Sequence, residues 1–115
     1  MPIVNFHLVD GLTSSEQDRQ LLVAASKFYA EVLNAPTDRV RAFITAHAPS
    51  RFAVVGDLVA VNGLHAPYFE FIVLEGRPLE QTHRLMAGFT DLLVDTLGVR
   101  RDLVRGSCRR LAPQE

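Results

Sequence analysis

The chain carries one apolar stripe twice. Leu21, Leu22, Ala25, Phe28, Tyr29, Val32 and Leu33 recur as Leu85, Met86, Phe89, Leu92, Leu93, Thr96 and Leu97, each 64 positions on (21 to 85, 33 to 97). Their spacing marks one face of a helix, wide enough to cover a sheet. The flanks repeat too. Ile3 to Val9 alternates, with Val4, Phe6 and Leu8 on one face and Asn5 and His7 on the other; Phe69, Phe71 and Val73 alternate with Glu70 and Ile72. Both runs have the period of a half-buried strand. Asp10-Gly11 is answered by Glu75-Gly76, 65 positions on (11 to 76), so one residue was gained or lost near the helix start. Thr13 and Ser14 before Glu16 and Gln17 form a capping-box pattern, and Pro78 suits a first helical position. Asn34 with Pro36 stops the first helix, and Gly98 stops the second. Val40, Ala42 and Ile44 then alternate with Arg41, Phe43 and Thr45, and Val104-Arg105 matches Val40-Arg41.

The expected fold is α/β (α+β): two tandem βαβ units, about 2–61 and 67–112, in a single domain over 1–115. A βαβ crossover makes its two strands parallel. Two such units side by side form a four-stranded sheet with two helices on one face. The other face carries Asn5, His7, Arg41, Phe43, Glu70, Ile72, Arg105 and Arg109. It is too mixed for a monomer core, so a subunit interface or oligomer channel is expected there. Between the copies, Ala53-Val54-Val55, Gly56-Asp57 and Leu58-Val59-Ala60-Val61 read as a short hairpin, a subunit-bridging arm, and Asn62-Gly63 as a second turn.

Composition narrows the class. Hydrophobic residues are 48% and charged residues 22% of the 115, the balance of a globular domain. The net charge of −1 argues against a nucleic-acid partner. No run reaches a membrane-spanning length. Met1-Pro2-Ile3-Val4 lacks the basic stretch and apolar core of a signal peptide, and the one cysteine, Cys108, suits a reducing compartment, so a cytoplasmic location is expected. The four histidines do not fall at metal-ligand spacing, and no metal or cofactor is expected. Ser107-Cys108 reads as strand, with an ordinary buried thiol. Lys27 is the only lysine among 12 basic residues; the arginines are suited to holding carboxylates through two parallel hydrogen bonds.

Pro2 is the residue with unusual chemistry in reach. Removal of Met1 before a small second residue would leave its nitrogen a secondary amine. An α-amino group titrates near about 7.7–8.0, and burial or neighbouring arginines lower that value. A base poised near the working pH is well matched to moving a proton.

Pro2-Ile3, the Asp10-Gly11 turn, the capped helix, Asn34-Ala35-Pro36, Val40-Arg41 and Phe52 together resemble the 4-oxalocrotonate tautomerase family over Pro2 to about Ala60. Pro67 through Glu75-Gly76-Arg77 to Val104-Arg105 resembles it again. The whole is similar to a fused (tandem) member of the tautomerase superfamily. The resemblance implies a tautomerase-like fold and an isomerase that moves a proton in unsaturated 2-hydroxy or 2-oxo acids, by keto-enol or double-bond isomerisation, without a cofactor. It implies Pro2 as the catalytic base. Pro67 holds the same place in the second copy, but its nitrogen is an amide. The family's arginine after the turn glycine falls on Leu12 in the first copy and Arg77 in the second. One half would thus supply the base and the other the guanidinium. The family's second arginine falls on Arg41 and Arg105, and its pocket-closing aromatic on Phe52. An extra arginine of dehalogenase relatives falls on Leu74, which disfavours dehalogenation. The implied partners are a small-molecule carboxylate substrate and copies of the chain itself, a homotrimer, with no nucleic acid and no membrane. Two alternatives share this fold: a cationic Pro2 assisting decarboxylation or hydration of a small acid, and an inert assembly or ligand-binding module.

Overall fold

The computed structural model describes residues 2–112; Met1, whose removal the base chemistry requires, lies outside the described residues. Strand β1 (Ile3–Val9) leads through a turn to helix α1 (Ser15–Leu33), a 3-10 turn (Thr37–Arg39) and strand β2 (Arg41–His47). A linker follows, with the two-residue strands β3 (Ala53–Val54) and β4 (Asp57–Leu58) and a helical turn α2 (Val59–Asn62). The unit then recurs as β5 (Tyr68–Leu74), α3 (Leu79–Leu97), a 3-10 turn (Arg101–Leu103) and β6 (Arg105–Leu111). The main sheet has the order β2-β1-β5-β6. Within each half the pair is parallel, and the halves join antiparallel through β1 and β5.

Local chemistry fixes these elements where the sequence places them. Ser14 caps α1: its hydroxyl accepts from the Gln17 N–H at 3.1 Å, and the Gln17 side chain accepts from the Ser14 N–H at 2.9 Å. Asn34 and Gly98 end the two helices in the left-handed conformation. Two details differ from expectation. Pro78 stands one place earlier, at the cap of α3, because its extended backbone (ψ 139°) is not yet helical. Val59-Ala60-Val61 is a helical turn rather than strand. There the Asn62 amide reaches back to the Val54 carbonyl at 2.6 Å and folds the segment under the β3–β4 hairpin.

Both helices cover one face of the sheet, and one core fills the space between. Val4, Phe6, Phe69, Phe71 and Val73 from the sheet meet Leu21, Ala25, Tyr29, Leu85, Phe89 and Leu93 from the helices, all buried. A second, small cluster of Val9, Val54, Val59 and Ala66 anchors the linker. On the uncovered sheet face a polar network crosses three strands. The two rings of His7 and His47 share a hydrogen bond at 2.8 Å, and His7 Nε2 lies 2.9 Å from Glu70 Oε1. Phe43 beside it is 45% exposed, an apolar group that this face does not cover by itself.

Candidate active site

The pairing of β1 with β5 runs from Val4–Phe71 to His7–Tyr68 and goes no further. Beyond Val4 the strand ends separate, and the carbonyls of Ile3 and Ile72 need another donor. The buried Tyr29 hydroxyl supplies it: it donates to the Ile72 carbonyl and lies 3.4 Å from that of Ile3. Burial pushes the Tyr29 hydroxyl up, which keeps it a donor. A cleft of about 110 Å³ opens at this divergence. Its lining is Pro2, Leu33, Ala35, Arg39, Ile72, Leu74 and Arg77.

Each half of the chain delivers one end of this cleft. Pro2 is held by its carbonyl, which accepts from the Arg41 N–H at 2.9 Å as the last bond of the parallel pair. Arg77 comes from the turn between β5 and α3, where Gly76 takes a positive φ of 97° that suits glycine. Arg110 on β6 fastens that turn: its guanidinium donates to the Arg77 carbonyl at 2.8 Å and to Thr82 Oγ1 at 2.9 Å. The Arg77 guanidinium in turn donates to the Leu33 carbonyl at 3.0 Å. Leu33 is the last residue of α1, and α1 has no basic residue in its own last turn. A cation from the other half therefore takes up an unsatisfied helix carbonyl and faces the negative end of the helix dipole.

The sequence-predicted residues divide among three places. Pro2 and Arg77 share the cleft, one from each half, and Leu74 adds an apolar wall. Arg41 and Arg105 do not line it. Each folds back over its own 3-10 turn, Arg41 onto the carbonyls of Asp38 and Val40 and Arg105 onto those of Asp102 and Val104, all at 2.7–3.0 Å. Phe52 lies with Tyr68 and Arg105 along a separate groove. Arg39 in the Pro2 cleft was not singled out by sequence; its counterpart 64 positions on, Leu103, is apolar, so the repeat gave no signal (39 to 103). Among the described residues no group of His, Cys, Asp and Glu is arranged to hold a metal ion.

The duplication leaves a twin cleft at the opposite end of the sheet. Its lining includes Leu12, Leu97, Gly98, Val99, Leu103 and His65. Pro67 matches Pro2 there but is fully buried within the chain. His65 Nε2 accepts from the Val9 N–H at 3.4 Å, which requires the neutral ring. Burial lowers the His65 pKa from 6.5, with Asp18 opposing. A lowered folded-state pKa means that the unfolded chain takes up the proton first. This contribution is therefore complete above about pH 6.5 and is lost as pH falls through the folded-state value. Melting curves at pH 7.5 and 5.0 test it: His65→Asn is expected to show a smaller drop in Tm between them than the parent chain. An equal drop in both would remove His65 from the acid response.

The pattern of the family described as Tautomerase enzyme matches residues 2–62, more than half of the chain. The chain belongs to the tautomerase superfamily. No curated protein sequence matches it, whereas solved tautomerase-fold structures do. Pt0534 inactivated by 2-oxo-3-pentynoate is 23% identical, with a TM-score of 0.86 over 96% of this chain and 85% of that one. The symmetric trimer of the wild-type fused 4-OT Q0 is 22% identical, with a TM-score of 0.85 over 98% and 88%. N1, a member of the cis-3-chloroacrylic acid dehalogenase family, is 15% identical, with a TM-score of 0.83 over 96% and 75%. These likenesses carry the tautomerase fold across both halves, beyond the residues that the family pattern reaches.

Proposed function

We propose that this tautomerase-superfamily chain is a cofactor-independent isomerase that moves a proton in unsaturated 2-hydroxy or 2-oxo acids. The observation that carries the reading is the meeting of Pro2 and Arg77, from opposite halves, in one apolar-walled cleft. With Met1 removed, the Pro2 nitrogen is a secondary amine. The guanidiniums of Arg77 and Arg39 disfavour its charged form, so it is available as a base. Arg77 holds the substrate carboxylate or 2-oxo group. Pro2 takes a proton from the substrate and returns it to another atom of the same conjugated system. The bonded electrons pass through an enolate, whose oxygen needs a preorganised cation. Arg41 or Arg105 serves that need, and Phe52 closes the pocket, in a cleft contributed to by a neighbouring copy. The fused 4-OTs Q0 and F6 are trimers, symmetric and asymmetric. A homotrimer built through the uncovered sheet face would bring Phe43 and Ile72 out of water and carry these side chains to a neighbour.

The reagent that inactivated Pt0534 supplies the test. An alkynyl ketone is electrophilic at its β-carbon; a neutral amine adds there, and the amine proton passes to the adjacent carbon. Mass spectrometry after incubation with 2-oxo-3-pentynoate is expected to show one reagent added per chain, on the peptide that begins with Pro2. Addition elsewhere, on Lys27 or Cys108, or no addition at all, would overturn the assignment.

A further inference from the structure

We infer that Arg39 is a second anion-binding group of the Pro2 cleft and sets its preference for substrates with two separated negative charges. The inference rests on the reading of this cleft as the substrate site, and goes beyond it by naming the charge of the substrate and the residue that reads it.

The duplicated fold provides the comparison. The two clefts share four equivalent positions, and two of these are apolar in both: Leu33 and Ala35 on one side answer to Leu97 and Val99 on the other, each 64 positions apart (33 to 97, 35 to 99). At the other two the clefts differ in charge. Arg77 answers to Leu12, and Arg39 answers to Leu103. Both guanidiniums therefore line the cleft that holds Pro2, and both equivalents in the twin are leucines. The only proline of the pair that can have an unblocked nitrogen is on the same side. The twin cleft has an arginine of its own, Arg100, but that guanidinium is paired with Asp102 at 3.1 and 2.7 Å; the cleft with the base is the one that holds an uncommitted guanidinium.

The two cations are held differently. Arg77 is half-buried and tethered to the Leu33 carbonyl and, at 3.4 Å, to Gln81 Oε1. Arg39 is exposed at the end of its 3-10 turn, and among the described residues its guanidinium makes no hydrogen bond or ion pair. A guanidinium binds a carboxylate through two parallel N–H donors, and Arg39 has its donors uncommitted. Besides Pro2 and the two cations, the lining is apolar: Leu33, Ala35, Ile72 and Leu74. A dianion with a short hydrocarbon middle can engage both guanidiniums and the apolar walls; a monoanion engages one guanidinium.

Fumarate and crotonate are suitable probes, because they share a four-carbon unsaturated skeleton and differ in one carboxylate. Titrations of the full chain followed by amide chemical shifts are expected to give a Kd for fumarate about tenfold or more below that for crotonate, in line with one added charge-assisted contact. Shifts should appear at Leu33 and Ala35 and be absent at Gly98 and Val99 in the twin cleft. Arg39→Gln should raise the fumarate Kd to near the crotonate value and leave crotonate within twofold; Arg39→Lys should recover part of the gap. Arg77→Gln should weaken both probes. The Arg39→Gln melting temperature should equal that of the parent, since the side chain supports nothing in the fold. Equal effects of Arg39→Gln on the two probes, no effect on either, or shifts centred on Gly98 would overturn the inference. Binding of these probes does not require a proton transfer. Loss of the fumarate preference in Arg39→Gln, in a chain whose Pro2 turns out not to react, would therefore sink the base assignment and leave Arg39 standing.

Discussion

Turnover of phenylenolpyruvate is expected to fall by about 10²–10⁴-fold when one extra residue ahead of Pro2 turns its nitrogen into an amide. An amide nitrogen has no basic lone pair, so the change removes the base and leaves the rest of the cleft in place. The Pro2 carbonyl still accepts from Arg41, and the β1–β2 pair that it closes is unaltered. The melting temperature and the fumarate Kd should therefore stay near their parent values while kcat collapses. That separation distinguishes loss of chemistry from loss of structure, and KM should move far less than kcat. In the unblocked chain, activity should decline as pH falls, because protonation of the amine removes the acceptor. A blocked chain that turns over at the parent rate would eliminate Pro2 as the base. It would favour an activity assembled elsewhere, or none at all in an inert module of the same fold.

The sequence made the repeat legible because burial imposes period on it. Leu21, Ala25 and Tyr29 on one helix and Leu85, Phe89 and Leu93 on the other are all fully buried, and all lie on the two matching stripes. Caps were legible because Ser14, Asn34 and Gly98 act through their own local geometry. The antiparallel junction of β1 with β5 was not, since no local pattern says which edges of two βαβ units will meet. Nor was the Val59–Asn62 turn: Val-Ala-Val favours a strand, and the Asn62 contact with Val54 that overrides it is eight residues long in sequence. In the candidate site, Pro2 and Arg77 could be named from motif positions. Arg39 could not, because a residue that differs between the copies looks like drift until the two clefts are compared in space. The resemblance likewise named Arg41 and Arg105 as a pair, and they do behave as one, each folded onto its own 3-10 turn in the same way. Arg41 lies next to Pro2 in the sheet, and it stays out of the cleft because its guanidinium turns back onto the Asp38 and Val40 carbonyls; Arg105 stays out because it pairs with Tyr68, at the end of β5 away from Ile72.

Phe89→Ala is expected to cost about 3–5 kcal/mol, the range for deleting a buried aromatic ring. Phe89 is fully buried, and its ring lies 5.3–5.9 Å from those of Phe6, Phe28, Tyr29, Phe69 and Phe71. From α3 its ring meets rings of both strands at the junction of the halves and of helix α1. A domain of this size has about 5–15 kcal/mol of total stability, so the loss is a large share. In a thermal melt it should appear as a drop on the order of 10–20 °C. The equivalent position in the first copy is Ala25, also fully buried, 64 residues earlier (25 to 89). The core thus has room for one large ring where the helices meet, and the two copies have divided that volume unequally. Gly88 belongs to the same division: a Cβ built there would lie 2.0 Å from the Phe28 ring, so the first helix fills space that the second leaves open. The consequence reaches the cleft through Tyr29, whose ring rests on Phe89 and whose hydroxyl holds the strand ends beneath Pro2. Below its melting temperature, Phe89→Ala should therefore also weaken fumarate binding, whereas a cavity made at Leu93, on the same stripe but outside the ring cluster, should lower Tm with less effect on the probe. A Tm change under about 4 °C for Phe89→Ala would show that the ring cluster is not the centre of the fold's stability, and equal probe binding in the two cavity variants would break the link from Phe89 through Tyr29 to the cleft.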